Sequence, residues 1–248
     1  MRISIVTVTY NAESTIRRTM ESVACQTYGD IEHLVIDGAS KDRTVEIANE
    51  YHATVLSEPD RGLYDAMNKG IRLATGDYIC FLNAGDTLHS PSTLANIAQA
   101  ASQSQSSTAH SGIAIIYGNT DIVDFQGNFL HPRRLTPPAR LTWRSFRQGM
   151  LVCHQAFYVN RQIAQLYDTS YRFSADFDWC IRCMKEGERR GMHNLYVRET
   201  VADYLSEGMT TANHKASLRE RFRIMSCHYG LFSTIAYHIY FIFRAIFQ

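Results

Sequence analysis

Almost no net charge is left on this chain. Its 25 lysines and arginines against 24 aspartates and glutamates leave +1 over 248 residues. There is no overall pull toward nucleic acid, and no such partner is expected. No stretch reaches the ~20 apolar residues needed to span a bilayer. The chain opens directly on a strand-like run, which leaves no room for a signal peptide, so a cytoplasmic setting is expected. The six cysteines, at 25, 80, 153, 180, 183 and 227, are scattered, as in a reducing compartment. Trp179-Cys180-Ile181-Arg182-Cys183 has the spacing of a redox motif, but it lies late in the chain within a helical pattern, where thiols serve as small hydrophobes. There is no internal repeat. Acids are absent from 131 to 160, where Arg133, Arg134, Arg140, Arg144 and Arg147 stand alone. That stretch suits anionic phosphates and equally suits a solvated basic face.

What is present is an alternation of strand and helix patterns over the first hundred residues. Near-continuous apolar runs at 3–8, 34–36, 54–56 and 78–82 read as strands buried on both faces. Between them, helical spacing of Ile16, Met20 and Val23, then of Val45, Ile47 and Tyr51, and a helix over 64–74 supply crossovers. The length and this pattern predict one α/β core with a mostly parallel sheet. In such sheets ligands bind beyond the carboxyl ends of the strands. The polar residues there are Thr9 and Asn11, Asp37, Glu58 and Asp60, and Asn83 to Asp86. Farther on, a solvated loop is expected near 99–112, a hairpin from 113–123 and 127–130, a strand at 155–159 and a helix at 176–185. The tail at 235–247 is interrupted only by His238 and Arg244, with Arg219, Arg221 and Arg223 upstream. Such a segment fits an interfacial membrane helix, and it equally fits packing on the domain or against a second subunit in an oligomer.

Past the fourth strand, Phe81-Leu82-Asn83-Ala84-Gly85-Asp86 offers one acid where a divalent cation could meet a diphosphate, since Mg²⁺ and Mn²⁺ prefer carboxylate oxygen and water. Alone, Asp86 reads first as a cap of the following turn. It does not stand alone. Ile5-Val6-Thr7-Val8-Thr9-Tyr10-Asn11, Val35-Ile36-Asp37-Gly38-Ala39-Ser40-Lys41-Asp42-Arg43-Thr44 and 74–86 resemble successive blocks of the family 2 glycosyltransferases. The block from Ser57 to Gly70, Ser-Glu-Pro-Asp-Arg-Gly-Leu-Tyr-Asp-Ala-Met-Asn-Lys-Gly, resembles the branch that includes colanic-acid-type exopolysaccharide transferases. The likeness is dense over about ninety residues and thins toward Gly208.

The resemblance implies a GT-A-type nucleotide-binding fold over 1–215, with a mostly parallel central sheet flanked by helices, followed by a helical, apolar C-terminal extension over 216–248. It places Thr9 and Asn11 at the nucleotide and lets Asp37 accept from a base N–H, as uracil and guanine provide. Asp65, Asn68 and Asn83 fall at donor positions, Asp86 at the metal, Mn²⁺ or Mg²⁺. Asp176, in Ser174-Ala175-Asp176-Phe177-Asp178-Trp179, falls at the general base, with a helix N-cap as its structural alternative. His154 would contact acceptor or diphosphate, and a loop over 204–211 would close on the donor. Three departures stand out. Asp37 is followed by glycine rather than a second acid, the metal block keeps one carboxylate, and Met67 replaces a common arginine, leaving Arg61 or Lys69 to supply positive charge. The implied activity is inverting transfer from a UDP- or GDP-sugar to a lipid-linked saccharide of a surface polysaccharide, at the inner face of the cell membrane. A nucleotidyltransferase would want a glycine- and lysine-rich loop where this chain has Thr9-Tyr10-Asn11-Ala12. A non-catalytic sugar-nucleotide-binding or assembly subunit stays open.

Overall fold

The first four strands form the parallel half of the sheet, as their unbroken apolar runs require. β1 (Ile3–Thr9) is buried along its whole length and pairs in parallel with β2 (Ile31–Asp37) and β4 (Tyr78–Phe81); β3 (Thr54–Ser57) adds to β2 at the edge. The computed structural model describes residues 1–107, 112–206 and 214–247. Crossovers run through α1 (Ile16–Ala24), the short α2 (Thr44–Ala48) and α3 (Leu63–Leu73). α3 lies close against β1 because Gly70 has no side chain: a Cβ there would meet Val6 Cγ1 at 2.4 Å.

Beyond β4 the sheet becomes mixed. The order is β3-β2-β1-β4-β8-β6-β9-β5, with β7 (Phe129–Pro132) on β6 (Ile113–Val123). β8 (Phe157–Asn160) is antiparallel to both β4 and β6, while β9 (His193–Leu205) runs parallel to β6 and antiparallel to the two-residue β5 (Thr87–Leu88). α4 (Thr93–Ser107) and α5 (Ala175–Arg189) flank this half. β8 starts later than expected because His154–Ala156 forms a single 3-10 turn. The thirteen-residue β9 is absent from the sequence reading. Its alternation breaks at Arg198, which takes φ +57, beside register shifts on β6. Tyr204 and Leu205, read as the start of a closing loop, end this strand; 207–211 lie outside the described residues.

The C-terminal extension is two helices, α6 (His214–Tyr229) and α7 (Leu231–Phe247), separated by Gly230 at φ +83. Ser217, Ile224, Met225 and Thr234 are buried, and Tyr237 and Phe241 pack on the main core. The expected boundary at 215/216 therefore runs through shared packing, and only α7 carries a broad exposed apolar face. Cys180 and Cys183 are buried, unpaired thiols in α5, consistent with their helical context.

A stack of rings joins three elements beneath the future site. Tyr64 of α3, Tyr167 and Trp179 of α5 lie at centroid distances of 5.5 and 4.7 Å. Asn68 holds this stack in register: its amide donates to Tyr167 O (3.0 Å), and its Oδ1 accepts from Tyr167 N (2.7 Å). Removing it strands two buried backbone groups, so Asn68→Ala is expected to lower unfolding free energy by about 2–4 kcal/mol in a denaturant titration.

Candidate active site

Five of the expected residues meet in one cavity of about 280 Å³ at the carboxyl ends of β1 and β4. Thr9, Asn83, Asp86, His154 and Asp176 line it, together with Tyr64, Arg172, Phe173 and Tyr204. Two oxygens on this wall, Thr9 Oγ1 and Asn83 Oδ1, are buried with no hydrogen-bond partner among the described residues. Buried polar atoms are rarely left so, which marks the wall as one built to receive polar groups from outside the chain.

Asp86 follows Gly85, whose φ of +103 turns the chain sharply after β4. The Asp86 carboxylate is buried and forms no ion pair among the described residues. Oδ1 accepts from Leu205 N (3.0 Å) and Oδ2 from Gln155 Nε2 (2.7 Å). Burial pushes its pKa up to about 6, although those hydrogen bonds, His154 and Arg18 oppose the shift. Each oxygen keeps a free lone pair, so Asp86 offers hard oxygen donors of the kind a divalent cation takes; the other ligands would have to come from diphosphate and water. Gln155, next to the histidine singled out in the sequence, is fully buried and is the residue that fixes this carboxylate.

Asp176 sits across the cavity in the first turn of α5. The N-cap position belongs to Ser174, so Asp176 is free of capping duty and turns its side chain inward. Tyr64 donates to its Oδ1 (3.3 Å), and His154 Nδ1 lies 3.5 Å from its Oδ2. Asn83 Nδ2 donates to His154 Nε2 (3.2 Å), an order that places the imidazole proton on Nδ1, facing Asp176. Burial would raise this carboxyl, but His154, Arg221 and a backbone N–H outweigh it and hold the pKa below the ordinary value. Asp178 points elsewhere, between Arg182 Nε (2.5 Å) and His228 Nε2 (2.7 Å).

The other expected residues lie outside the cavity. Asp37 is fully buried, and its carboxylate is held by Ser40 and by Ser57 Oγ (2.6 Å). Asn11, at φ +48, latches neighbouring loops through Ser40 Oγ and Lys41 N. Asp65 accepts from Arg61 N (3.1 Å) at the start of α3, and Asn68 is committed to Tyr167. The glycine at 38 has a local reason: a Cβ there would meet Asp60 Oδ2 at 2.6 Å, so the Asp60 carboxylate fills the space beside it. Lys69 is paired with Glu58 (3.0 Å), and Arg61 stays outside, whereas Arg172 lines the cavity. Nothing in the sequence patterns singled out Arg172. In the basic stretch, Arg133 organises backbone carbonyls, Arg144 pairs with Glu188, and Arg147 stacks on Tyr229. Away from the cavity, ligand atoms of His89, Asp121 and Asp203 gather within 4.8 Å of one another, with His89 Nδ1 2.8 Å from Asp203 Oδ1.

Comparison with known proteins follows this geometry. The family described as Glycosyl transferase family 2 matches residues 4–165. A PGL/p-HBAD biosynthesis glycosyltransferase of Mycobacterium tuberculosis is 32% identical over 210 residues, covering 81% of this chain and 75% of that protein. Among solved structures, S. aureus TarS superposes with TM-score 0.68 at 14% identity, covering 92% of this chain and 39% of that one. Mannosyltransferase PcManGT from Pyrobaculum calidifontis, in complex with GDP-Man and Mn²⁺, does so with TM-score 0.62 at 17% identity, covering 95% and 73%. At these identities the likeness establishes the fold.

The raised Asp86 pKa has a consequence for stability. The folded chain holds this proton more tightly than the unfolded chain, whose ordinary value is 3.8. Its contribution to stability is therefore greatest below about pH 4 and is lost as pH rises to about 6, a cost on the order of 3 kcal/mol. Asp86→Asn, which removes the charge, is expected to melt higher than the wild type at pH 8 without metal. The gap should close at pH 4, as read by thermal unfolding at both pH values.

Proposed function

This chain belongs to glycosyl transferase family 2, and from that membership we propose that it transfers a sugar, with inversion, from a UDP- or GDP-linked donor to a hydroxyl of a lipid-linked saccharide. The observation that carries the reading is the pair of carboxylates facing one another across a cavity, with opposite pKa shifts. Environments that separate two acids in this way separate their roles.

Asp176 is the base. Held ionised by its neighbours and by the helix N-terminus, it takes the proton of the acceptor hydroxyl. The acceptor oxygen then bonds to the anomeric carbon while the bond from that carbon to the diphosphate oxygen breaks, and the electron pair leaves with the diphosphate. His154 orients the Asp176 carboxylate through Nδ1–H. Asp86 would hold Mn²⁺ or Mg²⁺, which when bound supplies Lewis-acid neutralisation of the leaving diphosphate. Thr9 and Asn83 offer their unpartnered oxygens to the donor, and Arg172 supplies the cation that Arg61 and Lys69 do not. PcManGT, bound to GDP-Man and Mn²⁺, and TarS 1-349, bound to UDP-GlcNAc, support this class of donor. Asp37 acts one layer back in this scheme, fixing the 38–40 loop beside the base.

Membrane docking belongs to the same proposal. No helix among the described residues is long and apolar enough to cross a bilayer. On α7, however, Phe232 is 90% exposed, and Leu231, Ile235, Ile239 and Ile242 extend the same apolar face. Exposed Arg219 and Arg223 on α6 add positive charge nearby. An apolar stripe flanked by arginines fits the surface of an anionic bilayer, where a lipid-linked acceptor would reside.

Two experiments check these readings. Asp176→Asn is expected to stay folded, to bind UDP or GDP with Mn²⁺ as the wild type does, and to lose about 10²–10⁴-fold in release of nucleoside diphosphate from the best of UDP-GlcNAc, UDP-glucose and GDP-mannose. Asp178→Asn should be less stable yet active. Near-normal turnover in Asp176→Asn would remove it as the base. For the tail, a chain ending at Gly230 keeps α6 and should fold, but should no longer sediment with phosphatidylserine-containing vesicles; unchanged sedimentation would exclude α7 as the membrane face.

A further inference from the structure

The loop that leads into α5 is held by a carboxylate from the far end of the chain. Glu220 on α6 accepts three consecutive backbone N–H groups, from Arg172 (2.8 Å), Phe173 (2.8 Å) and Ser174 (3.0 Å). Converging amides at a helix N-terminus form an anion-binding hollow. Here the chain fills that hollow with its own side chain. The Ser174 hydroxyl also meets Ser217 Oγ of the same helix (3.0 Å), and His228 grips Asp178 further along. α6 thus touches the loop and α5 at several points along its length.

What those contacts hold is the wall of the cavity. Arg172 and Phe173 line it, and Asp176 follows the clamped amides by two residues. A three-bond grip on the backbone immediately before the base fixes where its carboxylate points. The adjacent Arg221 supplies charge. Its guanidinium carbon lies 5.9 Å from the Phe177 ring, and its Nε is buried with no hydrogen-bond partner among the described residues. Among the described residues it forms no ion pair, and its charge helps to hold the Asp176 carboxyl low.

We propose that Glu220 and Arg221 are positioning residues for sugar transfer, Glu220 by fixing the backbone that aims Asp176, Arg221 by standing as a fixed positive charge on the helix packed beside Phe177, next in the chain to the base. This rests on Asp176 being the base, so Asp176→Asn is measured alongside. Displacements of about 1 Å at a reacting group cost up to about 10²-fold in rate. Glu220→Ala is expected to lower kcat about 10–100-fold while changing the Kd for UDP or GDP with Mn²⁺ less than threefold. Glu220→Gln, which keeps one acceptor oxygen, should recover part of the loss. If Glu220→Ala does not fold, the Gln variant carries the comparison.

Arg221→Met keeps the aliphatic stem but removes the charge. Of the groups facing Asp176, Tyr64, Tyr167, Tyr204 and Cys180 are all pushed up by burial and stay neutral. The groups able to carry positive charge on this side of the cavity are His154, Arg221 and the cavity-lining Arg172, and of these His154 and Arg221 act on Asp176. Loss of Arg221 should therefore move the acid limb of the kcat profile to higher pH, a change that mere support would not produce. An inactive Asp176→Asn with wild-type kcat in both Glu220 variants, or with an unmoved profile in Arg221→Met, overturns the proposal. Equal falls in kcat and nucleotide affinity in Glu220→Gln also overturn it, as plain support. An active Asp176→Asn overturns instead the reading on which it rests.

Discussion

At the heart of the molecule a carboxylate is buried at the end of β4, beside an amide and a backbone N–H but with no ion-pair partner among the described residues. Burying a charge in this way costs free energy unless something neutralises it, by a proton or by a bound cation. Much of the surrounding architecture serves that arrangement. Gly85 makes the turn that brings Asp86 inward, Gln155 rises from the 3-10 turn before β8 to meet it, and the last residue of β9 closes the other side. The end of β4, the turn before β8 and the end of β9 converge on one side chain.

The second carboxylate is treated in the opposite way. Asp176 is also largely enclosed, yet His154, Tyr64 and the helix start keep it ionised. The two acids share a cavity and a chain of contacts through Asn83 and His154, but not an environment. One favours taking up a proton or a cation, while the other is kept ionised. In the transfer we propose, such a division would let one small site serve both ends of the displacement.

The C-terminal helices join this scheme rather than standing apart from it. α6 holds the loop before Asp176 and anchors Asp178, while its other end leads straight into the exposed apolar face of α7. The helix with the exposed apolar face is therefore contiguous with the one that holds the Asp176 wall of the cavity.

The sequence by itself determined the parallel half of the fold. Continuous apolar runs leave β1, β2 and β4 little choice but a sheet buried on both faces. Asp86 and Asp176 stand out only through the resemblance of their blocks to a family, since an acid after a strand or at a helix start also reads as a cap. The sequence also determined α3 and the start of α5, since helical periodicity is a property of neighbours, while α5 runs four residues past its expected end, to Arg189. Tertiary structure decided what depends on distant partners. β9 was hidden because a bulge at Arg198 breaks its alternation, and it becomes a strand only against β6. Asp37, Asn11 and Asn68 sit where site residues were expected, yet folding turns their polar atoms toward Ser57, Ser40 and Tyr167, since a buried hydrogen-bonding group must be satisfied by whatever lies nearest in space. Arg172 and Glu220 carry no local signal, and Gln155 stands in the sequence only as the neighbour of His154. Their roles arise from contacts that span 46 to 69 residues, and a pattern read along the chain contains no term for such distances.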